Sequence, residues 1–101
     1  MNKDKRIPTP TIAEILKEEF LEPLEITPYK LSKDLHVSTS TILDIMHGKR
    51  KITVEMSLRL AKYFGMSEKF WINLQNDIEM REKREKMKSK LDSIKPLRKS
   101  A

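Results

Sequence analysis

A chain of 101 residues with 38% apolar and 36% charged side chains can enclose one small core but not two, and so polar a balance requires a solvated segment outside it. Cysteine is absent, which excludes disulfides, thiolate nucleophiles and thiolate metal sites, and no apolar run approaches the roughly 18 residues of a membrane span; a cytoplasmic protein without membrane attachment is expected. The formal charge of +6 is uneven, with nine basic and three acidic residues in 81–101, one Lys against five Glu in 11–29, and seven basic against three acidic in 30–62, so a neutral body presents one acidic face and one basic face suited to an anionic partner.

In chain order the signals are helical. Thr11 and Glu14 form a capping-box pattern ahead of Ile12, Ile15, Leu16 and Phe20 at helical spacing, and helix one should run to about Leu21, before Pro23. Thr27 can cap helix two, with Pro28 at its first position and Ile26 and Leu31 as a hydrophobic staple; it should end near Leu35. After a tight His36-Val37 connection, Ser38 caps a helix three of about three turns. Ile42 and Ile45 face inward there, and Gly48 supplies a left-handed terminus. Lys49-Arg50-Lys51 reads as a loop. Thr53 caps helix four, whose buried stripe is Met56, Leu60, Ala61 and Phe64 and whose end is Gly65.

Ser67 is expected to cap helix five, with Phe70, Trp71, Leu74 and Ile78 on its apolar side. Phe70 and Trp71 are adjacent, so one should fill the core while the other joins Leu74 and Ile78 in a dimer seam. Beyond Met80 the chain is charged on every side. Pairs such as Glu79 with Lys83 and Glu82 with Lys86 would support an extension of helix five, and Pro96 would stop it. No stretch alternates with period two, so an all-α fold is expected, divided into an arm (1–10), a five-helix domain (11–80) and a basic, partly helical or disordered tail (81–101).

Two short helices joined by a tight turn, the second opening on small hydroxyl side chains and followed by a basic loop, match a helix-turn-helix. There the second helix enters the DNA major groove by its N-terminal turn. Thr39, Ser40 and Thr41 would meet base edges, where hydroxyls donate or accept and a threonine methyl can meet thymine. Lys49, Arg50 and Lys51 would hold phosphates, with Tyr29 and Lys30 as further backbone contacts. His47 either complements the helix dipole or touches DNA. The tail is a solvated arm or a second contact with DNA or a protein partner.

The segments Ile15-Leu-Lys-Glu-Glu-Phe-Leu-Glu-Pro-Leu24, Leu35-His-Val-Ser38, Gly48-Lys-Arg50, Leu58-Arg-Leu-Ala61 and Phe70-Trp-Ile-Asn-Leu-Gln75 together resemble the HigA-type antitoxins of bacterial toxin–antitoxin modules. Their DNA-binding domain is of the Cro/C1 repressor kind. The likeness spans roughly residues 7–80, and its first and last segments lie outside anything a helix-turn-helix requires. It implies a homodimer that binds a palindromic operator in its own promoter and neutralises a HigB-type mRNA-cleaving toxin. This chain departs from the family at Glu25 and His36, where glycine is frequent, and at Leu43-Asp44, where a polar or basic pair is frequent. Asp44 in the groove would repel phosphates yet can accept from a cytosine amino group.

Two other readings compete with an operator-binding antitoxin. One is a stand-alone transcriptional regulator; the other is a toxin-neutralising interaction protein that binds DNA weakly, as Asp44 and the neutral body suggest. An enzyme is the poorest reading. His36 and His47 lie on different elements and form no metal pair, and no phosphate-binding glycine loop is present, so neither metal nor cofactor is expected.

Overall fold

The computed structural model describes residues 10–97, and nearly all of the expected N-terminal arm lies outside them. Among the described residues the architecture is helical throughout: α1 (Ile12–Ile15) runs unbroken into a π-helical stretch (Leu16–Leu21), followed by α2 (Pro28–Leu35), α3 (Thr39–Met46), α4 (Val54–Phe64), α5 (Phe70–Lys86) and α6 (Lys88–Asp92). The five expected helices are present, and α6 is an addition within the tail.

Four hydroxyl caps fall where the spacing placed them. The side chains of Thr11, Thr27, Ser38 and Thr53 each accept from the backbone N–H three residues on, and Glu14 closes the capping box on Thr11. The π stretch was not legible. Glu22 N–H donates to Lys17 C=O at 2.9 Å, five residues back, and this wider turn has a packing reason. Leu16 and Leu21 are both buried, but in a 3.6-residue helix a spacing of five would place them about 140° apart. The longer turn brings both to the core side.

Both tight ends use left-handed residues. His36 has φ 63°; its N–H donates to Lys33 C=O and the Val37 N–H to Ser32 C=O, closing α2 in a Schellman pattern that usually takes glycine. Gly48 at φ 74° closes α3 likewise, with Lys49 N–H donating to Asp44 C=O at 2.8 Å. That closure limits α3 to eight residues, shorter than the three turns expected.

The start of α5 also differs. Ser67 does not cap it: its Oγ accepts from Lys69 N–H at 3.2 Å and its carbonyl from Phe70 N–H at 3.0 Å, so it holds the two-residue turn, Glu68 and Lys69, that leads directly into the helix. At the other end α5 continues six residues past Met80. Glu79, expected to pair with Lys83, instead meets Lys51 at 2.9 Å.

The core joins Leu16 and Leu21 to Leu31, Leu35, Ile42, Ile45, Ile52, Met56, Leu60 and Trp71. Trp71 is 0% exposed, with the rings of Phe20 at 4.8 Å and Phe70 at 5.1 Å. Of the two adjacent aromatics, Trp71 is therefore the one that fills the core, and it drops out as a candidate for the dimer seam: a side chain enclosed by its own fold has no surface to offer a second copy. Phe70 is 38% exposed. Among the described residues no helix is long and apolar enough to cross a membrane.

Candidate nucleic-acid interface

The contact between α2 and α3 is built on a buried serine. Ser32 Oγ donates to Tyr29 C=O at 2.7 Å and shares a 3.0 Å hydrogen bond with Thr39 Oγ1. Of the three hydroxyls expected to meet base edges, Thr39 is thus engaged between the helices. Ser40 is exposed and Thr41 half-buried. Both are tied to the cap, since Ser38 Oγ lies 3.2 Å from Ser40 Oγ and 2.8 Å from Thr41 Oγ1. The N-terminal turn of α3 is a small hydroxyl cluster held in one geometry, with the helix dipole and unpaired N–H groups favouring negative charge in front of it.

The basic loop is anchored rather than loose. Gln75, buried on α5, accepts from Ile52 N–H at 2.6 Å through Oε1 and donates to Ile52 C=O at 2.8 Å through Nε2, answering both backbone groups of a buried loop residue. Lys49, Arg50 and Lys51 precede this fixed point, and all three are exposed. Their charges are not equally free: Arg50 Nη2 lies 3.3 Å from Asp44 Oδ2, and Lys51 faces Glu79. His47 is exposed at the C-terminal cap of α3.

At the start of α2, Tyr29 is 60% exposed with Lys33 Nζ 5.5 Å from its ring centre. Lys30 is bound to Asp34 at 2.9 Å, and the same Asp34 oxygen accepts from Tyr63 O–H at 2.6 Å. The Tyr63 hydroxyl, helped by Lys30, holds the Asp34 carboxyl below the usual carboxylate range. Asp34 in return pushes Tyr63 and Lys30 upward, in each case chiefly through its hydrogen bond. The stabilisation tied to Asp34 is complete above the ordinary carboxylate pKa and lost as pH falls through its depressed value; that tied to Lys30 and Tyr63 is lost as pH rises through their raised values. Replacing Tyr63 by phenylalanine is expected to move the Asp34 midpoint upward in an NMR titration, and an unmoved midpoint would mean the hydroxyl does not bind it.

Three contributors escaped the sequence reading. Ser32 and Gln75 are buried polar residues with cross-helix partners, and Arg59 donates to Leu35 C=O at 2.6 Å, binding α4 to the last turn of α2. Gln75 left a trace: it stands four residues after Trp71, so it shares that residue's buried side, where an amide must find partners. The residues assigned to a seam differ in exposure. Phe70 is exposed while Leu74 and Ile78 are half-buried, and Leu74 packs against the core.

The family model described as helix-turn-helix matches residues 16–71, from the π stretch to the core tryptophan. An HTH-type transcriptional regulator of Haemophilus influenzae is 39% identical over 93 residues, covering 90% of this chain and 86% of that one. Antitoxin HigA-1 of Vibrio cholerae is 32% identical over 97 residues, covering 96% and 90%. The antitoxin HigA of Pseudomonas aeruginosa, solved with the higBA promoter, superposes with a TM-score of 0.81 at 34% identity over 90% of this chain and 100% of that one. The chain belongs to the HigA-type helix-turn-helix family. HigA-type chains are antitoxins and transcriptional regulators, not enzymes. The match to HigA-1 extends beyond residues 16–71 on both sides.

Proposed function

We propose that this chain binds operator DNA as a homodimer, represses its own operon and neutralises a HigB-type mRNA-cleaving toxin. The observation that carries the DNA reading is the arrangement of one face: the exposed hydroxyl turn of α3 beside a basic loop whose far end is pinned by Gln75. A groove-binding helix needs such support because base contacts require fixed geometry, while phosphate contacts set register and affinity. The likeness to a HigA solved with its promoter supports the same reading. Ser40, Thr41 and Asp44 are assigned to base edges; Thr39 supports them from behind. Lys49 and Arg50 are assigned to phosphates, with Tyr29, Lys30, His47 and Lys51 at the margin. Phe70, Leu74 and Ile78 remain the proposed dimer seam.

A toxin-binding protein with weak DNA affinity is the second reading, favoured by the pairing of Arg50 with Asp44 and of Lys51 with Glu79, which reduces the charge facing phosphates. Footprinting on the chain's own upstream region separates the two. Protection of an inverted repeat with half-sites roughly 34 Å apart supports the first, and unprotected DNA alongside a stable complex with the neighbouring gene's product supports the second.

Arg50→Ala is expected to weaken binding to all duplexes and to reduce the slope of log K against log salt by about one. Thr41→Ala should instead change the ranking of operator variants. Anisotropy titrations at several salt concentrations distinguish these outcomes, and an Arg50→Ala protein altered only in sequence preference would reverse the two assignments.

A further inference from the structure

We propose that Asp44 selects a cytosine in each operator half-site and that Arg50 is the device that lets a carboxylate work in the groove. The inference rests on the DNA-binding reading above and adds the base it chooses. Asp44 stands three and four residues beyond Thr41 and Ser40, so it continues their face of α3 by one turn. Its side chain is 38% exposed, and Arg50, 51% exposed, meets its Oδ2 at 3.3 Å. Hydrogen bonds on both sides of Arg50 build this meeting: Lys49 N–H donates to the carbonyl of Asp44 itself, and the Gln75 side-chain amide holds the backbone of Ile52.

A bare carboxylate between two rows of phosphates is repelled. Paired with a guanidinium it carries no net charge, yet it keeps acceptor capacity, because an ionised carboxylate has about four acceptor sites. The hydroxyls of Ser40 and Thr41 can donate or accept and so tolerate several bases. Asp44 is the group on this face that can only accept. Cytosine presents an amino donor alone at its major-groove edge, whereas adenine sets its N7 acceptor beside its amino group, a pattern that suits an amide and opposes a carboxylate.

The test uses the full chain as wild type, Asp44→Asn, Arg50→Ala and the double variant, each checked for native helicity by circular dichroism. Duplexes are selected from a random-sequence pool, and the winners are titrated by anisotropy. Wild type should enrich a C·G pair at one position per half-site, and replacing that pair should weaken binding on the order of tenfold or more. Asp44→Asn should lose that preference while the other positions stay as they were. Arg50→Ala should weaken every duplex, and adding Asp44→Asn should recover part of the loss, a non-additive result that charge masking requires. If Asp44→Asn enriches the same sequences and binds them all more tightly, the carboxylate only repels and the selecting role falls. Strictly additive variants overturn the masking role. If wild type enriches no duplex at all, the DNA-binding reading itself fails, and this inference with it.

Discussion

Trp71→Ala is expected to cost about 3–5 kcal/mol of folding stability, a large share of the roughly 5–15 kcal/mol that a domain of this size holds. The indole touches rings from three helices: Phe20 at 4.8 Å, Phe64 at 6.3 Å and Phe70 at 5.1 Å. Those helices are tied to one another elsewhere, so the hole left by its removal cannot close fully. Trp71→Phe should be far milder. The indole Nε1 is buried without a hydrogen-bond partner, and phenylalanine removes that unsatisfied donor together with part of the volume. Urea denaturation at one fixed protein concentration, which keeps any association term constant, reads both changes. Equal losses for the two variants would show that the part of the indole that phenylalanine lacks carries the whole contribution.

Gln75→Ala is expected to destabilise by about 2–4 kcal/mol, because it strands both the N–H and the C=O of Ile52 in a buried position. Its effect should reach further than that of a core deletion of similar size. Ile52 ends the loop that bears Lys49, Arg50 and Lys51, so DNA affinity should fall even at temperatures where the variant is fully folded. A glutamate at the same place gives a sharper check. It preserves the acceptor for Ile52 N–H but sets a carboxylate oxygen against Ile52 C=O, and burial with that repulsion raises its pKa. The folded state then takes up a proton, so the Gln75→Glu variant should be most stable below the ordinary carboxylate pKa and lose stability as pH rises through the raised value. A pH-independent loss would mean that the side chain does not meet that carbonyl.

What could be read from sequence was what is settled within a few residues. The caps at Thr11, Thr27, Ser38 and Thr53 depend on a hydroxyl and an N–H three positions away, and the left-handed ends at His36 and Gly48 depend on one residue and its immediate neighbours. Ser67 shows the limit of that rule, because its N–H partner, Lys69, lies two residues on, in the turn before α5, and not three residues on inside a helix. The π stretch escaped because a five-residue spacing has meaning only once the core that both leucines face is known.

The candidate interface divides in the same way. Its hydroxyls and basic residues were visible as a string, but their state was not. Thr39 is held by a serine on the preceding helix, Arg50 by an aspartate six positions back, and Lys51 by a glutamate from the far side of the chain. Such pairings follow from how helices are laid together, and no local pattern announces them. The choice between Phe70 and Trp71 as the enclosed aromatic is another instance: adjacent positions on a helix differ by about 100°, and only the neighbours decide which of the two turns inward.

The double fastening of the basic loop makes α5 a lever. Gln75 and Glu79 stand one turn apart on that rod and grip Ile52 and Lys51 in succession, while its other end runs on to Lys86, well clear of α3 in sequence. Of the two grips, the buried amide pair of Gln75 is the firm one and the solvent-exposed Lys51–Glu79 pair adds little, so a tilt of the rod reaches the cationic stretch chiefly through Ile52.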